Sequence, residues 1–433
     1  MKIIVAGAGI GGLYAAYLFG KKGHGVTVYE RTDCLENMRY DWHDDANPTA
    51  IKNLGIEIPK ESFPKKDWTF ISPCGNTLGM TQSDENRDFS IERRPFNKVL
   101  YGMAKEYSDV VFGKEIKSAY IEDGTVCGVV FADGGVEKCD LVIDSCGVDS
   151  PIRRSLPVTY GIDGDVGEEG VFAAYRAFYD AVPDAEVRYT NKVYMKHLGK
   201  QGISWCIVDN DPTKINVLVG RIGKLNKEEL NLSLAELRKD NPVLGEKLER
   251  GGIVCKIPVR RPLDVMVADG YAAIGDAACM TVPLIGSGIV TSLYAAKYIF
   301  EAVGDGNDSS AGKLWAYQYK VYADFGAQHC GVDYLKNWLL RQKNSTIDWI
   351  FGSGIMNNRD LQKMSVGKLI KLTFKDAAEK LRKGFTRLHI LIPMALMLSK
   401  AQKIVKIAKN IPEKYDEIAI AKWANRLDKA CGK

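Results

Sequence analysis

The chain opens on an apolar tetrad, Ile3–Ala6, that reads as a buried strand. A glycine-rich turn follows, then apolar positions at helical intervals from Leu13 to Lys22. Val26–Tyr29 gives a second strand, and the strand–helix–strand unit ends on an acid, Glu30. Ser118–Asp144 alternates β-rich runs with Asp-Gly pairs at 123–124 and 133–134, the pattern of a three-stranded meander. From about Val158 to Lys256 polar and apolar residues alternate, as in "FAAYRAFYD", "GISWCIV" and "INVLVGRI", which predicts antiparallel strands with one buried face. After Gly331 the period becomes helical. "VGKLIKLTFKDAAEKLRKGF" and "ALMLSKAQKIVKIAKNIP" space apolar residues by helix turns with lysines between them, the second stopping at Pro412.

The first turn carries chemistry. Gly7, Gly9 and Gly12 form G-x-G-x-x-G between strand and helix, with Glu30 following at the end of the next strand. Gly7 permits the tight turn, Gly9 lets backbone approach a pyrophosphate, and Gly12 lets helix and strand pack closely. The helix N-terminus offers N–H groups and a positive dipole, and Glu30 can accept both ribose hydroxyls of an adenosine. This fingerprint does not by itself separate NAD from FAD. Ala268–Val303 does. There Gly275-Asp276 ends a short strand, Gly286 and Gly288 let backbone pass close to a flat ring, and a helix starts near Ile289. Asp276 is placed for ribityl or ribose hydroxyls, and the helix N-terminus for negative charge on a reduced flavin.

Composition changes the picture in one respect. Hydrophobic content of 46% with 26% charged residues is that of an ordinary globular protein. The net charge of +5, however, conceals a split: residues 331–433 hold 21 Lys+Arg against 9 Asp+Glu, and the rest of the chain is net acidic. That asymmetry predicts a basic surface meeting phosphates or an anionic membrane. Ten cysteines without a C-x-x-C pair read as reduced intracellular thiols. No signal peptide is read, because the chain opens directly on a strand. The longest apolar run, Leu388–Ser399, is interrupted by Pro393 and falls short of the roughly 20 residues a spanning helix needs. The expectation is a cytoplasmic protein that at most touches a membrane, with no nucleic acid and no metal.

Taken in order, these blocks resemble the FAD-dependent oxidoreductases of the p-hydroxybenzoate hydroxylase fold, and within them the geranylgeranyl reductases. "GAGIGG…YER" is similar to the FAD fingerprint, "IERRPFNKVL" to R-x-x-F-D-x-x-L, and "IDSCGVDSPIRRSL" to the A-[DT]-G-x-x-S-x-x-R block. "IPVRRPLDVMVADGYAAIGDAACMTVPLIGSGI" is similar to the reductases' P-x-R-R-P and GDAA-x-x-x-x-P-x-x-G-x-GI blocks. The resemblance covers roughly Met1–Gly326. It implies a mixed α/β (α+β) architecture with a Rossmann-like FAD-binding domain from residues 1–60, 90–157 and 263–330, meander included. An antiparallel-sheet substrate domain would come from 61–89 and 158–262, and 331–433 would form a basic helical region. It further implies FAD contacts at Gly7, Gly9, Gly12, Glu30, Arg31, Arg93, Ile116, Gly275, Asp276, Pro283, Gly286, Gly288 and Ile289.

Two stretches depart from that family. Where geranylgeranyl reductases carry Y-x-W-x-F-P, this chain has Ile203-Ser204-Trp205-Cys206-Ile207-Val208, so Trp205 is a candidate wall of a substrate cavity, with a plain core aromatic as the alternative. Where reductases often carry a Cys-Gly loop, it has "YDWHDD", Tyr40–Asp45. By position Tyr40, Asp41 and His43 would contact FAD, Trp42 or His43 would face the ring, and His43 is a candidate proton donor. The plainer alternative is that Asp44 or Asp45 caps the helix before Pro48. Cys146 stands where hydroxylases show Asp, and is read as a buried small hydrophobe, with a redox thiol as the alternative. His24, His197, His329 and His389 are read as surface or satisfied residues. The expected activity is FAD-dependent reduction of carbon–carbon double bonds in an apolar isoprenoid or lipid, with a ferredoxin, another flavoprotein or NAD(P)H as electron donor. The alternatives are a flavin monooxygenase of aromatic substrates and a non-catalytic flavin-loaded protein at the membrane surface.

Overall fold

The computed structural model describes residues 1–432 apart from 39, 66, 83–86 and 371–372, so Arg39 of the departing loop and Lys371 and Leu372 of the basic segment lie outside the described residues. A six-stranded sheet runs in the order Val267–Ala268, Tyr271–Ala273, Leu141–Asp144, Lys2–Ala6, Gly25–Tyr29, Asp109–Val111. Its inner pairs are parallel, with Ile3 beside both Leu141 and Val26. Ile3, Ile4, Val5 and Ala6 are fully buried, as a parallel strand covered on both faces must be. Helices Ile10–Lys21, Arg93–Lys105 and Ile289–Val303 pack together beside it. The meander is present as Ile116–Glu122, Thr125–Phe131 and Val136–Lys138. Its first turn holds Asp123 at φ 48° and Gly124 at φ 78°, the left-handed pair that a two-residue hairpin requires.

A seven-stranded sheet forms the second layer: Leu244–Pro258, Val171–Ala181, Lys214–Ile222, Ile203–Val208, Asn191–Met195, Asp67–Ile71, Thr77–Thr81. Its only parallel pairing among the described residues is Asn191–Met195 with Asp67–Ile71. Tyr175, Ala177, Val217 and Val219 form one buried face under Leu234 and Leu237 of helix Lys227–Asp240. A third small sheet, His43–Ala46, Phe89–Glu92 and Phe63–Pro64, contributes to the junction between the two large ones.

The C-terminal region is helical, and one expectation fails there. Pro393 does not interrupt the apolar run: helix Leu388–Lys409 continues through it. Pro393 lies in the second turn, where its missing N–H removes a single bond to the carbonyl four residues back. Burial of Met397, Leu398, Ala401, Ile404 and Ala408 along the rest of the helix offsets that loss. As a result one stretch among the described residues, Lys375–Lys409, is long and apolar enough to cross a membrane by length and composition.

The R-R-P motif clamps this region to the sheet. Arg261 donates to Asp264 at 2.5 and 2.8 Å and to Asp428 of the last helix at 2.5 Å. Arg261→Met is expected to lower stability by about 3–5 kcal/mol, because it leaves the Asp264 carboxylate buried without its partner. Urea unfolding monitored by circular dichroism measures the loss.

Candidate flavin site

Three segments converge on the site. In the fingerprint turn, Gly7 sits at φ 91°, and a Cβ on Gly12 would lie 2.3 Å from Ser145 Oγ and 2.4 Å from the Gly7 carbonyl. Both glycines are demanded by the protein's own packing. Gly9 differs: the nearest atom to a Cβ there is 3.7 Å away, so the turn's outer surface stays clear. The helix that follows has no side-chain cap and no acid in its first turn, leaving its N–H groups for an anion. Glu30 is buried, and its carboxylate accepts from Ala8 N at 2.9 Å and Thr32 N at 3.0 Å. That pins it at the turn with lone pairs to spare for hydroxyl donors. Arg31 is exposed just beyond it, and Ile116 is buried at the start of the meander.

The second segment is a 3-10 turn, Gly275–Ala278, rather than a strand end. Asp276 sits within it; burial pushes its carboxyl up, and the hydrogen bond from Thr281 Oγ1 at 2.7 Å opposes that. Pro283 is buried, Gly286 stands at φ 71° with nothing near its absent Cβ, and Gly288 opens helix Ile289–Val303, again without a side-chain cap. Arg153 braces this turn from behind, donating to the Ala277 carbonyl at 2.5 Å and the Val148 carbonyl at 2.6 Å. Asp144 accepts from Ser150 at 2.5 Å, Tyr271 at 2.8 Å and Cys146 N at 3.0 Å. Burial pushes the Cys146 thiol well up, so it is not a thiolate nucleophile.

"YDWHDD" forms the third segment, and half of it is strand rather than loop: His43–Ala46 pairs antiparallel with Phe89–Glu92. The pleat sorts its side chains. On one side Asp44 accepts from Arg93, from Arg176 Nη1 at 3.0 Å and from Trp42 Nε1 at 3.2 Å. Arg176 lies over the rings of Trp42 and Trp205, at 5.3 and 4.6 Å, and donates to the His43 carbonyl at 2.7 Å. Arg93 lies 4.2 Å over the Tyr40 ring, with its Nε buried and unpartnered. Burial pushes the Tyr40 hydroxyl up to about 12; the opposing charge of Arg93 and that of nearby Asp276 also act on it. Tyr40, Trp42, Asp44, Arg93 and Asp276 therefore share one side.

His43 occupies the other side. Its ring meets Phe63 and Phe178 edge-on, and Nε2 lies 2.5 Å from Glu92 Oε2. Two bare acceptors would repel at that distance, so Nε2 carries a proton donated to Glu92. Nδ1 is left unpartnered, 3.9 Å from Asp209 Oδ1. Arg250 completes the group, reaching Glu92 at 2.8 Å and Asp41 at 3.3 Å. The capping expectation is corrected: Asn47, not Asp44 or Asp45, accepts from Ala50 N at 2.9 Å, because only the residue directly before Pro48 has the N-cap position. Asp44 and Asp45 are engaged by Arg93 and Arg176, and by Lys65 at 3.2 Å. Of the four remaining histidines, His24, His197 and His329 are buried with one ring nitrogen unpartnered, and only His389 is at the surface.

Sequence reasoning missed two charge pairs on opposite sides of this strand, Arg176–Asp44 and Arg250–Glu92. One signal was available, a lone arginine inside the apolar alternation "FAAYRAFYD". The residues fit a flavin dinucleotide: two uncapped helix N-termini, a pinned ribose acid, a buried second acid and the unpartnered Arg93 Nε lie on segments that meet here.

Comparison with known proteins agrees with this geometry. Residues 5–40 match the family model of an NAD(P)-binding Rossmann-like domain. A geranylgeranyl bacteriochlorophyll reductase-like protein from Thermoplasma acidophilum superimposes with a TM-score of 0.72 at 17% identity, over 92% of this chain and 98% of that one. A probable FAD-dependent monooxygenase from Pseudomonas aeruginosa gives 0.56 at 17% identity, over 84% and 99%. The digeranylgeranylglycerophospholipid reductase of Sulfolobus acidocaldarius is 21% identical over 98% of this chain and 96% of its own length. That of Methanococcoides burtonii is 25% identical over 86% and 91%. Fold and site thus define an FAD-dependent oxidoreductase. Its likeness is to the geranylgeranyl reductases.

Proposed function

We propose that the protein reduces carbon–carbon double bonds in isoprenoid lipids. The observation that carries this reading is a nucleotide cradle beside the half-buried Trp205 ring, in a chain similar to a digeranylgeranylglycerophospholipid reductase along nearly its whole length. When bound and reduced by an electron donor, the flavin would supply hydride to one alkene carbon. The protein must then give a proton to the other carbon and exclude water. Tyr40 Oη, on the side shared with Arg93 and Asp276, is the proposed proton donor; a phenol holds its proton at neutral pH, and burial raises it further, to about 12. The His43 proton is committed to Glu92 on the opposite side, so His43 acts as a positioning residue for the strand. The half-buried Trp205 ring supplies apolar surface to a polyprenyl chain, while Trp42, buried under Arg176, serves packing.

Tyr40→Phe is expected to retain flavin while lowering turnover about 10²- to 10⁴-fold, the usual contribution of a placed general acid. His43→Gln should leave more activity than Tyr40→Phe and unfold at lower temperature than the parent. Product mass spectrometry with chemically reduced enzyme and a geranylgeranylated lipid reads both variants as gain of hydrogen. The opposite ranking, with Tyr40→Phe fully active, would return the donor role to His43.

A further inference from the structure

None of the chemistry above uses Lys375–Lys409. It forms helices Phe374–Gly384 and Leu388–Lys409, joined by the turn Phe385–Arg387. Leu388–Lys409 packs along helices Ala327–Arg341 and Glu417–Cys431 through the buried side that includes Met397, Ala401, Ile404 and Ala408. Its free side is bare and apolar: Leu388, Ile392 and Leu396 are 43, 56 and 65% exposed. Residues four apart share a helix face, so these three form a continuous line. Leu381 and Phe385, 54 and 66% exposed, lie in the segment leading into it. Singly exposed hydrophobics are ordinary, but five on consecutive turns are not.

The charge around this edge is predominantly basic. Nine Lys+Arg and two Asp+Glu lie in 375–409, and Glu379 is held by Lys383 at 2.7 Å. Arg382 and Arg387 stand at one end, and beyond Leu396 the exposed side passes to Lys400, Lys403 and Lys406. Although the stretch is long enough to cross a bilayer, the buried side of Leu388–Lys409 is already packed on protein, so only one face is free. A second copy would bring the same basic rim against itself and be repelled.

We propose that this edge is a membrane-docking face, with Leu381, Phe385, Leu388, Ile392 and Leu396 entering the interfacial layer of an anionic bilayer and the lysines meeting its phosphates. It deepens the lipid-substrate reading, yet stands on surface residues that touch no flavin segment. The full-length protein is floated with vesicles of phosphatidylcholine alone or mixed with phosphatidylglycerol. The protein should float with the anionic vesicles, less so as salt rises, and remain behind with the neutral ones. Phe385→Ser/Ile392→Ser should weaken anionic-vesicle binding by about tenfold or more, since both side chains are exposed and their loss removes apolar insertion. Circular dichroism and flavin content of that variant should match the parent, which separates failure of docking from failure of the flavin reading. A parent protein that ignores anionic vesicles, a variant that binds them undiminished, or a parent oligomer that the variant dissolves would overturn the proposal.

Discussion

Gly12→Val is expected to yield protein that folds poorly and purifies without flavin. Even a single Cβ at this position would lie 2.3 Å from Ser145 Oγ and 2.4 Å from the Gly7 carbonyl, and 3.1 Å from Val5 Cγ1. Ser145 cannot swing aside freely, because its hydroxyl donates to the Ala6 and Gly7 carbonyls at 2.9 and 2.6 Å. The helix must therefore move off the sheet, carrying with it the uncapped N-terminus that would meet the pyrophosphate. Overpacking of this kind costs about 1–3 kcal/mol, and more where backbone is the obstacle. Thermal melting and the ratio of flavin to protein absorbance measure the two losses separately. Gly9→Ala, where a Cβ meets nothing closer than 3.7 Å, should keep the stability and weaken only the flavin.

Glu92→Gln is expected to cost about 3–5 kcal/mol, since it leaves His43 and Arg250 facing a neutral amide in a buried setting. Burial by itself would raise the Glu92 carboxyl, but the hydrogen bonds from His43 and Arg250 outweigh it and hold the group at about 2, below the 4.5 of a free glutamate. A carboxyl lowered on folding stabilises the native state fully above its unfolded value, and loses that contribution as pH falls from about 4.5 towards 2. The interval corresponds to about 3 kcal/mol. Urea midpoints taken from neutral pH down to about pH 3 should fall steeply for the parent, while the Glu92→Gln variant, already destabilised, should lack this component of the acid limb.

The parts of this molecule that were legible in the sequence are those fixed by local rules. Gly7, Gly9, Gly12 and Glu30 lie within one strand–helix–strand unit, and Asp123-Gly124 sets its own hairpin. These charge pairs were not legible, because their partners are remote: Arg176 reaches Asp44 from 132 residues away, and Arg250 reaches Glu92 from 158. No periodicity tells which carboxylate meets which guanidinium. "YDWHDD" read as a loop because its polar residues conceal a strand whose partner, Phe89–Glu92, comes much later. Pro393 misled for the opposite reason, a local rule overridden by the packing of the helix around it.

The most direct measurement of the central claim is reoxidation of the photoreduced protein under strict exclusion of oxygen. Adding a geranylgeranylated glycerolipid should restore the oxidised flavin spectrum with one carbon–carbon double bond reduced per flavin reoxidised, and an aromatic acid should leave the flavin reduced. A protein that stays reduced with the lipid, but oxidises and hydroxylates an aromatic substrate once oxygen is admitted, would contradict the account.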